Sequence, residues 1–113
     1  MLIKYKCSYE KIAMGLLAYM PGEKNVKKLQ QTIKKYEEDP SWQLYLWKED
    51  DIVGIAGVTL LEDESVQLNH ISVNPSFRDE GLGKKIVETL KEIYTDKLVP
   101  SVQTTLFFVK CDS

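Results

Sequence analysis

Apolar positions recur with two different periods along this chain, and the switches between them outline its elements. Residues 2 to 6 read as a short strand. Ser8 stands where an N-cap would, and Tyr9, Ile12, Ala13, Leu16, Leu17 and Met20 then follow at helical spacing until Pro21-Gly22 stops the helix. Asn25 is the expected cap of a second helix with Val26, Leu29, Ile33 and Tyr36 on one face. Its other face carries Lys27, Lys28, Lys34 and Lys35, most simply a solvated surface. Pro40 ends this region. Three strand-like runs come next, 43–48, 52–61 and 66–73, joined by the acidic turns Glu49-Asp50-Asp51 and Glu62-Asp63-Glu64-Ser65. Turns this short imply an antiparallel meander. Gly54 and Gly57 inside the middle run point to a bulge or a close backbone approach.

After Val73 the period changes again. A helix runs to about Tyr94, with Leu82, Ile86, Leu90 and Ile93 as its apolar stripe. Lys97-Leu98-Val99 is a strand candidate that Pro100 ends, and Ser101 is placed to cap a last helix carrying Val102, Leu106, Phe107 and Val109. The order is β-α-α-β-β-β-α-β-α, a mixed α/β (α+β) arrangement. A chain of 113 residues with no repeat and no linker fits one domain, 1–113.

Composition narrows the function classes. The chain has 15 basic and 17 acidic residues, net −2, so it lacks the strong positive field of a generic nucleic-acid binder. No stretch approaches the roughly 18 to 20 apolar residues of a membrane span, and Met1 to Lys6 does not read as a signal peptide, so a cytoplasmic protein is expected. Cys7 and Cys111 lie near opposite ends with no metal-ligand spacing, and His70 is the sole imidazole. No metal site is expected.

The informative stretch is Leu68 to Lys84. A strand ends, a proline turns the chain, Arg78, Gly81 and Gly83 follow, and a helix begins. A helix N-terminus exposes unpaired N–H groups and a partial positive charge, and glycines at its mouth let a phosphate oxygen approach the main chain. Arg78 and Lys84 add charge, so the segment suits a diphosphate. It is neither GxxxxGK[ST] nor GxGxxG: Lys85 follows Gly83-Lys84, and Ile86 stands where the third glycine would be.

Asn69-His70-Ile71-Ser72-Val73-Asn74-Pro75-Ser76-Phe77-Arg78-Asp79-Glu80-Gly81-Leu82-Gly83 resembles the central motif of the GNAT N-acetyltransferases, and the element order agrees from residue 2 to about 110. Residues 9–17 and 46–50 also resemble the branch of that family encoded in riboflavin operons of Gram-positive bacteria. The resemblance implies a mainly antiparallel sheet flanked by helices and an acetyl-CoA (CoA) site. Main-chain groups of Ile71 and Val73 would hold the pantetheine arm. Arg78, Asp79, Glu80, Gly81, Leu82, Gly83 and Lys84 would surround the pyrophosphate. The acetyl carbonyl would sit in the splay between the fourth and fifth strands, beside a main-chain N–H.

Members often carry a tyrosine on the last helix and an asparagine at its start; Phe108 and Ser101 stand there, and both are counted with the cofactor site. The usual C-terminal hairpin is replaced by Cys111-Asp112-Ser113, which leaves a sheet edge for a second subunit to cover in a homodimer. His70 is the catalytic candidate, with Gln67 about where some members have a glutamate. Strict alternation puts Leu68, His70 and Ser72 on one face of the strand and Gln67, Asn69, Ile71 and Val73 on the other. The expected function is direct acetyl transfer to an amine of a small molecule, tied by the riboflavin-operon likeness to riboflavin metabolism. The alternative is a CoA-binding module without turnover, a sensor or assembly partner.

Overall fold

A computed structural model describes residues 1–20, 25–95, 97–100 and 104, with only the backbone of Arg78 and Asp79. Strand β1 (Leu2–Lys4) leads through a 3-10 turn (Cys7–Tyr9) into α1 (Glu10–Leu17). Then come α2 (Val26–Glu38), β2 (Trp42–Lys48), β3 (Ile52–Leu60) and β4 (Val66–Val73). A second 3-10 segment (Pro75–Glu80), α3 (Leu82–Tyr94) and β5 (Leu98–Pro100) complete the described elements. Pro21-Gly22 and the helix expected after Ser101, the final α of the expected order, lie outside the described residues.

The sheet runs β1-β2-β3-β4-β5. The first four strands pair antiparallel with their neighbours, while β5 pairs parallel to β4 through Val66↔Leu98, Gln67↔Val99 and Leu68↔Pro100. Helix α3 covers one face, where Leu82, Ile86, Val87 and Leu90 pack with Val66, Leu68, Ile71 and Val73. Helices α1 and α2 cover the other, where Leu17, Leu29, Ile33 and Tyr36 pack with Leu44, Leu46 and Ile55. Burial of these side chains, at about 1.5–3 kcal/mol each, drives the layers together.

Several local expectations change. Ser8 is not an N-cap: Tyr9 N–H donates to Lys6 C=O at 2.8 Å, so Ser8 sits inside the 3-10 turn and Tyr9 precedes α1 without a side-chain cap bond. Asn25 does cap α2, its Oδ1 accepting from Lys27 N–H at 2.9 Å and Lys28 N–H at 3.2 Å. Val26, in the first turn, is 62% exposed because it precedes the contact with the sheet. In α3, Ile93 is 49% exposed and the partly buried Tyr94 packs on the core instead. Leu82, Ile86, Leu90 and Tyr94 form an i+4 series, which keeps one slowly rotating face on the sheet, and Ile93 falls off it. Pro100 belongs to β5 as its last residue, a place where a missing N–H costs nothing in the ladder.

The alternation expected for β4 also fails. Gly57 opposes His70 but Val58 opposes Leu68, so Asn69 is an extra residue in β4. This bulge resets the faces. Val66 and Leu68 before it and Ile71 and Val73 after it all reach the α3 core, and His70 turns to Tyr36 of α2. Leu68 and His70 are therefore on opposite faces, not the same one.

Candidate functional site at the end of β4

The turn after β4 is built by Asn74 and Pro75. Asn74 N–H donates to Val53 C=O at 2.8 Å, its Oδ1 accepts from Ser76 N–H at 3.0 Å, and its C=O accepts from Phe77 N–H at 2.8 Å. Proline at the start of the 3-10 segment loses no useful donor there. The segment ends on Gly81 at φ 72°, ψ 19°, the left-handed region, and α3 starts at the next residue. A Cβ at Gly81 would meet nothing within 4 Å, so the backbone here borders open space.

Lys85 N–H is the donor that reaches Gly81 C=O, at 3.2 Å. The amides of Leu82, Gly83 and Lys84 therefore have no acceptor within the helix, and Gly81 has no side chain to cap them. Gly81, Glu80 and Lys84 are exposed and Gly83 is half-buried. The Leu82 side chain is 3% exposed in the core, which leaves it only a main-chain role at this mouth. Arg78 and Asp79 lie in the 3-10 segment immediately before it. Ser101 and Phe108 lie outside the described residues.

Among the described residues, β5 pairs with the first part of β4, as far as Leu68↔Pro100, and β4 runs on to Val73. Thr104, fully buried, donates its hydroxyl to Leu68 C=O at 2.8 Å, at the level of that pair. The Asn74-to-Val53 bond makes Gly54↔Val73 a non-hydrogen-bonded antiparallel pair, and two residues back Ala56↔Ile71 is another. Main-chain N–H and C=O groups of Ile71 and Val73 therefore point away from β3, toward the β5 side of the strand. Their side chains are buried under α3.

The bulge lies at the same level. Asn69 Nδ2 donates to the Thr59 hydroxyl on β3. His70 is 6% exposed, with Nδ1 2.6 Å from the Tyr36 hydroxyl. The sequence singles out His70 and the β3 glycines but not the bonds of His70 to Tyr36 and of Asn69 to Thr59. Gly57 was the available signal. A Cβ there would lie 2.0 Å from Tyr36 Oη, so this glycine marks a close approach by a side chain, beside the bulge on the neighbouring strand.

Cys7 is an exposed free thiol whose pKa is raised, chiefly by its hydrogen bond with Glu37. A thiol kept protonated is a poor nucleophile. Among the described residues, no three His, Cys, Asp or Glu gather as metal ligands, and no helix is long and apolar enough to cross a membrane.

Residues 10–108 match the profile of the acetyltransferase (GNAT) family. The chain is 54% identical over 114 residues to an uncharacterized N-acetyltransferase in the lysA 3' region of Bacillus methanolicus, covering 99% of this chain and 95% of that protein. Its fold is similar to that of AAC(6')-Iy, solved with the bisubstrate analogue CoA-S-monomethyl-acetylneamine: TM-score 0.76, 14% identity, 97% of this chain and 84% of that one. It is also similar to glucosamine-6-phosphate N-acetyltransferase from Arabidopsis thaliana, at TM-score 0.63 and 20% identity over 100% of this chain and 90% of that one. At such identities the structural likeness is one of fold. Sequence profile and curated relative together place the chain in the acetyltransferase (GNAT) family, as an enzyme of the N-acetyltransferase type.

Proposed function

We propose that residues 1–113 form a single acetyl-CoA-binding domain that transfers the acetyl group directly to an amine of a small molecule. The observation that carries this reading is the junction at Gly81, where a left-handed glycine bordering open space leads into a helix whose first three amides have no acceptor within it. Arg78, Asp79, Glu80, Gly81, Leu82, Gly83 and Lys84 surround the pyrophosphate, with the amides of Leu82 to Lys84 as donors. Main-chain groups of Ile71 and Val73 are assigned to the pantetheine arm on family resemblance, and their orientation away from β3 supports this. Ser101 and Phe108 are assigned to the same site on family resemblance.

Bound there, the thioester supplies an acyl group activated toward amines. The amine nitrogen attacks the acetyl carbon, the carbon–sulfur bond breaks, and the products are an acetamide and CoA thiol. Holding the two reactants together supplies most of the acceleration. A main-chain N–H at the β4 bulge stabilises the developing oxyanion. The amine's proton leaves to water or to His70, and the rate–pH profile of a His70→Gln variant distinguishes the two routes.

The likeness of residues 9–17 and 46–50 to the riboflavin-operon branch, RibT, supports an acceptor in riboflavin metabolism. We place the protein in the cytoplasm, which suits the free thiol of Cys7. A homodimer covering the β5 edge is expected, and analytical ultracentrifugation checks it.

A thermal shift measured with CoA and with free adenine nucleotides tests the site. CoA stabilises the protein more, and Gly83→Glu removes the effect by setting a carboxylate against the diphosphate. Absence of any shift at high CoA overturns the reading. Thiol release is then followed over a panel of aminoglycosides, amino sugars, amino acids and amines of riboflavin metabolism. CoA binding without thiol release would identify a module rather than an enzyme.

A further inference from the structure

We propose that Tyr36, on α2, is a positioning residue for acetyl transfer, holding the main chain of Asn69–Ile71 in its bulged path through His70. The inference rests on the reading that the reacting thioester lies at this bulge. Tyr36 and His70 are each 6% exposed, and their 2.6 Å bond joins helix α2 to the sheet beneath it. The rings meet edge-on, with centroids 5.7 Å apart at 69°. Trp42 also packs edge-on with Tyr36, with ring centroids 5.0 Å apart at 64°.

The sheet is shaped to admit this phenol. Gly57 is the register partner of His70, and its missing side chain leaves the space that Tyr36 Oη fills. The second residue of the bulge is tied as well, by the bond from Asn69 to Thr59. Asn69 and His70 are thus each held by a side chain of another element, at the place where β4 carries one residue more than β3.

A buried tyrosine–histidine pair is an expensive way to fill a core. An apolar pair would pack as well, but its contact has no direction. A hydrogen bond does, and it selects the one strand path that presents Nδ1 to the hydroxyl. A path without the bulge would send Ile71 and Val73 off the α3 core and turn their main-chain groups elsewhere. Main-chain donors aimed at a reacting carbonyl must be placed within a fraction of an ångström, so loosening the bulge slows transfer without touching the diphosphate grip at Gly81.

The test pairs two variants that reach the contact from opposite sides. Tyr36→Phe removes the hydroxyl, and Gly57→Ala pushes the phenol away. In both, amide hydrogen exchange at Asn69 to Ile71 accelerates about tenfold or more while amides of α3 keep their protection. Acetyl transfer by each variant falls about tenfold in kcat, with the Kd for CoA changed less than about twofold. Unchanged exchange at the bulge in both variants makes Tyr36 a packing residue and overturns the proposal. Faster exchange with an unchanged kcat overturns it too. Failure of the wild type to bind CoA sinks the functional reading instead, and the exchange result still decides whether Tyr36 holds the bulge.

Discussion

Two glycines separated by one residue do different work. Gly81 adopts φ 72°, which an L side chain reaches at a cost of about 1–2 kcal/mol, whereas Gly83 lies inside the first turn of α3. Spacing marked both as a pair but not which one makes the turn, because backbone sign is set by the path from β4 into α3. Tyr94 shows a similar dependence on partners. The Tyr94 hydroxyl lies 2.7 Å from that of Tyr45, and burial first, then this bond, raise the Tyr94 pKa well above the usual phenol range. The unfolded chain ionises at the ordinary value while the folded chain stays protonated. The contribution to stability is therefore complete below the ordinary phenol pKa and is lost as pH rises from there through the folded value. Tyr45→Phe should reduce that alkaline loss, seen by comparing urea denaturation of the two proteins at neutral and alkaline pH.

At the scale of elements, local signals succeed where the stabilising partner is near in sequence. Asn25 caps α2 through donors two and three residues away, and Asn25→Ala is expected to cost about 1 kcal/mol in urea denaturation with an unchanged m-value. The meander, its acidic turns and α3 were legible for the same reason. Ser8 was misleading because a cap needs an extended residue, and the bond from Tyr9 to Lys6 draws Ser8 into a helical turn instead. Strand β4 was legible as a strand but not in its facing. Period two assumes equal counts on both strands, and one extra residue opposite β3 reverses every face beyond it.

At the scale of the molecule, two layers of helix clamp a sheet whose fourth strand leads into the mouth of α3. A ligand bound at the end of that strand, as proposed, touches β4 and the mouth of α3 together, and neither element is formed in the unfolded chain. CoA at a hundredfold excess over its Kd should therefore add about 2.7 kcal/mol to unfolding free energy. Titrating CoA into urea denaturation at fixed protein concentration checks the logarithmic dependence, and a response equal to that of adenine nucleotides would place the ligand elsewhere.

The order of residues alone settled the described strands and α-helices as types, the meander, and the arginine–glycine entry to a helix after a strand. Each depends on neighbours within a turn or two, so a linear reading contains the physics. Folding alone decided which backbone groups of β4 face outward, which glycine turns left-handed, and that a tyrosine of α2 meets the histidine of β4. Those outcomes depend on register between segments far apart in the chain, and register is a property of the packed layers, not of any one stretch.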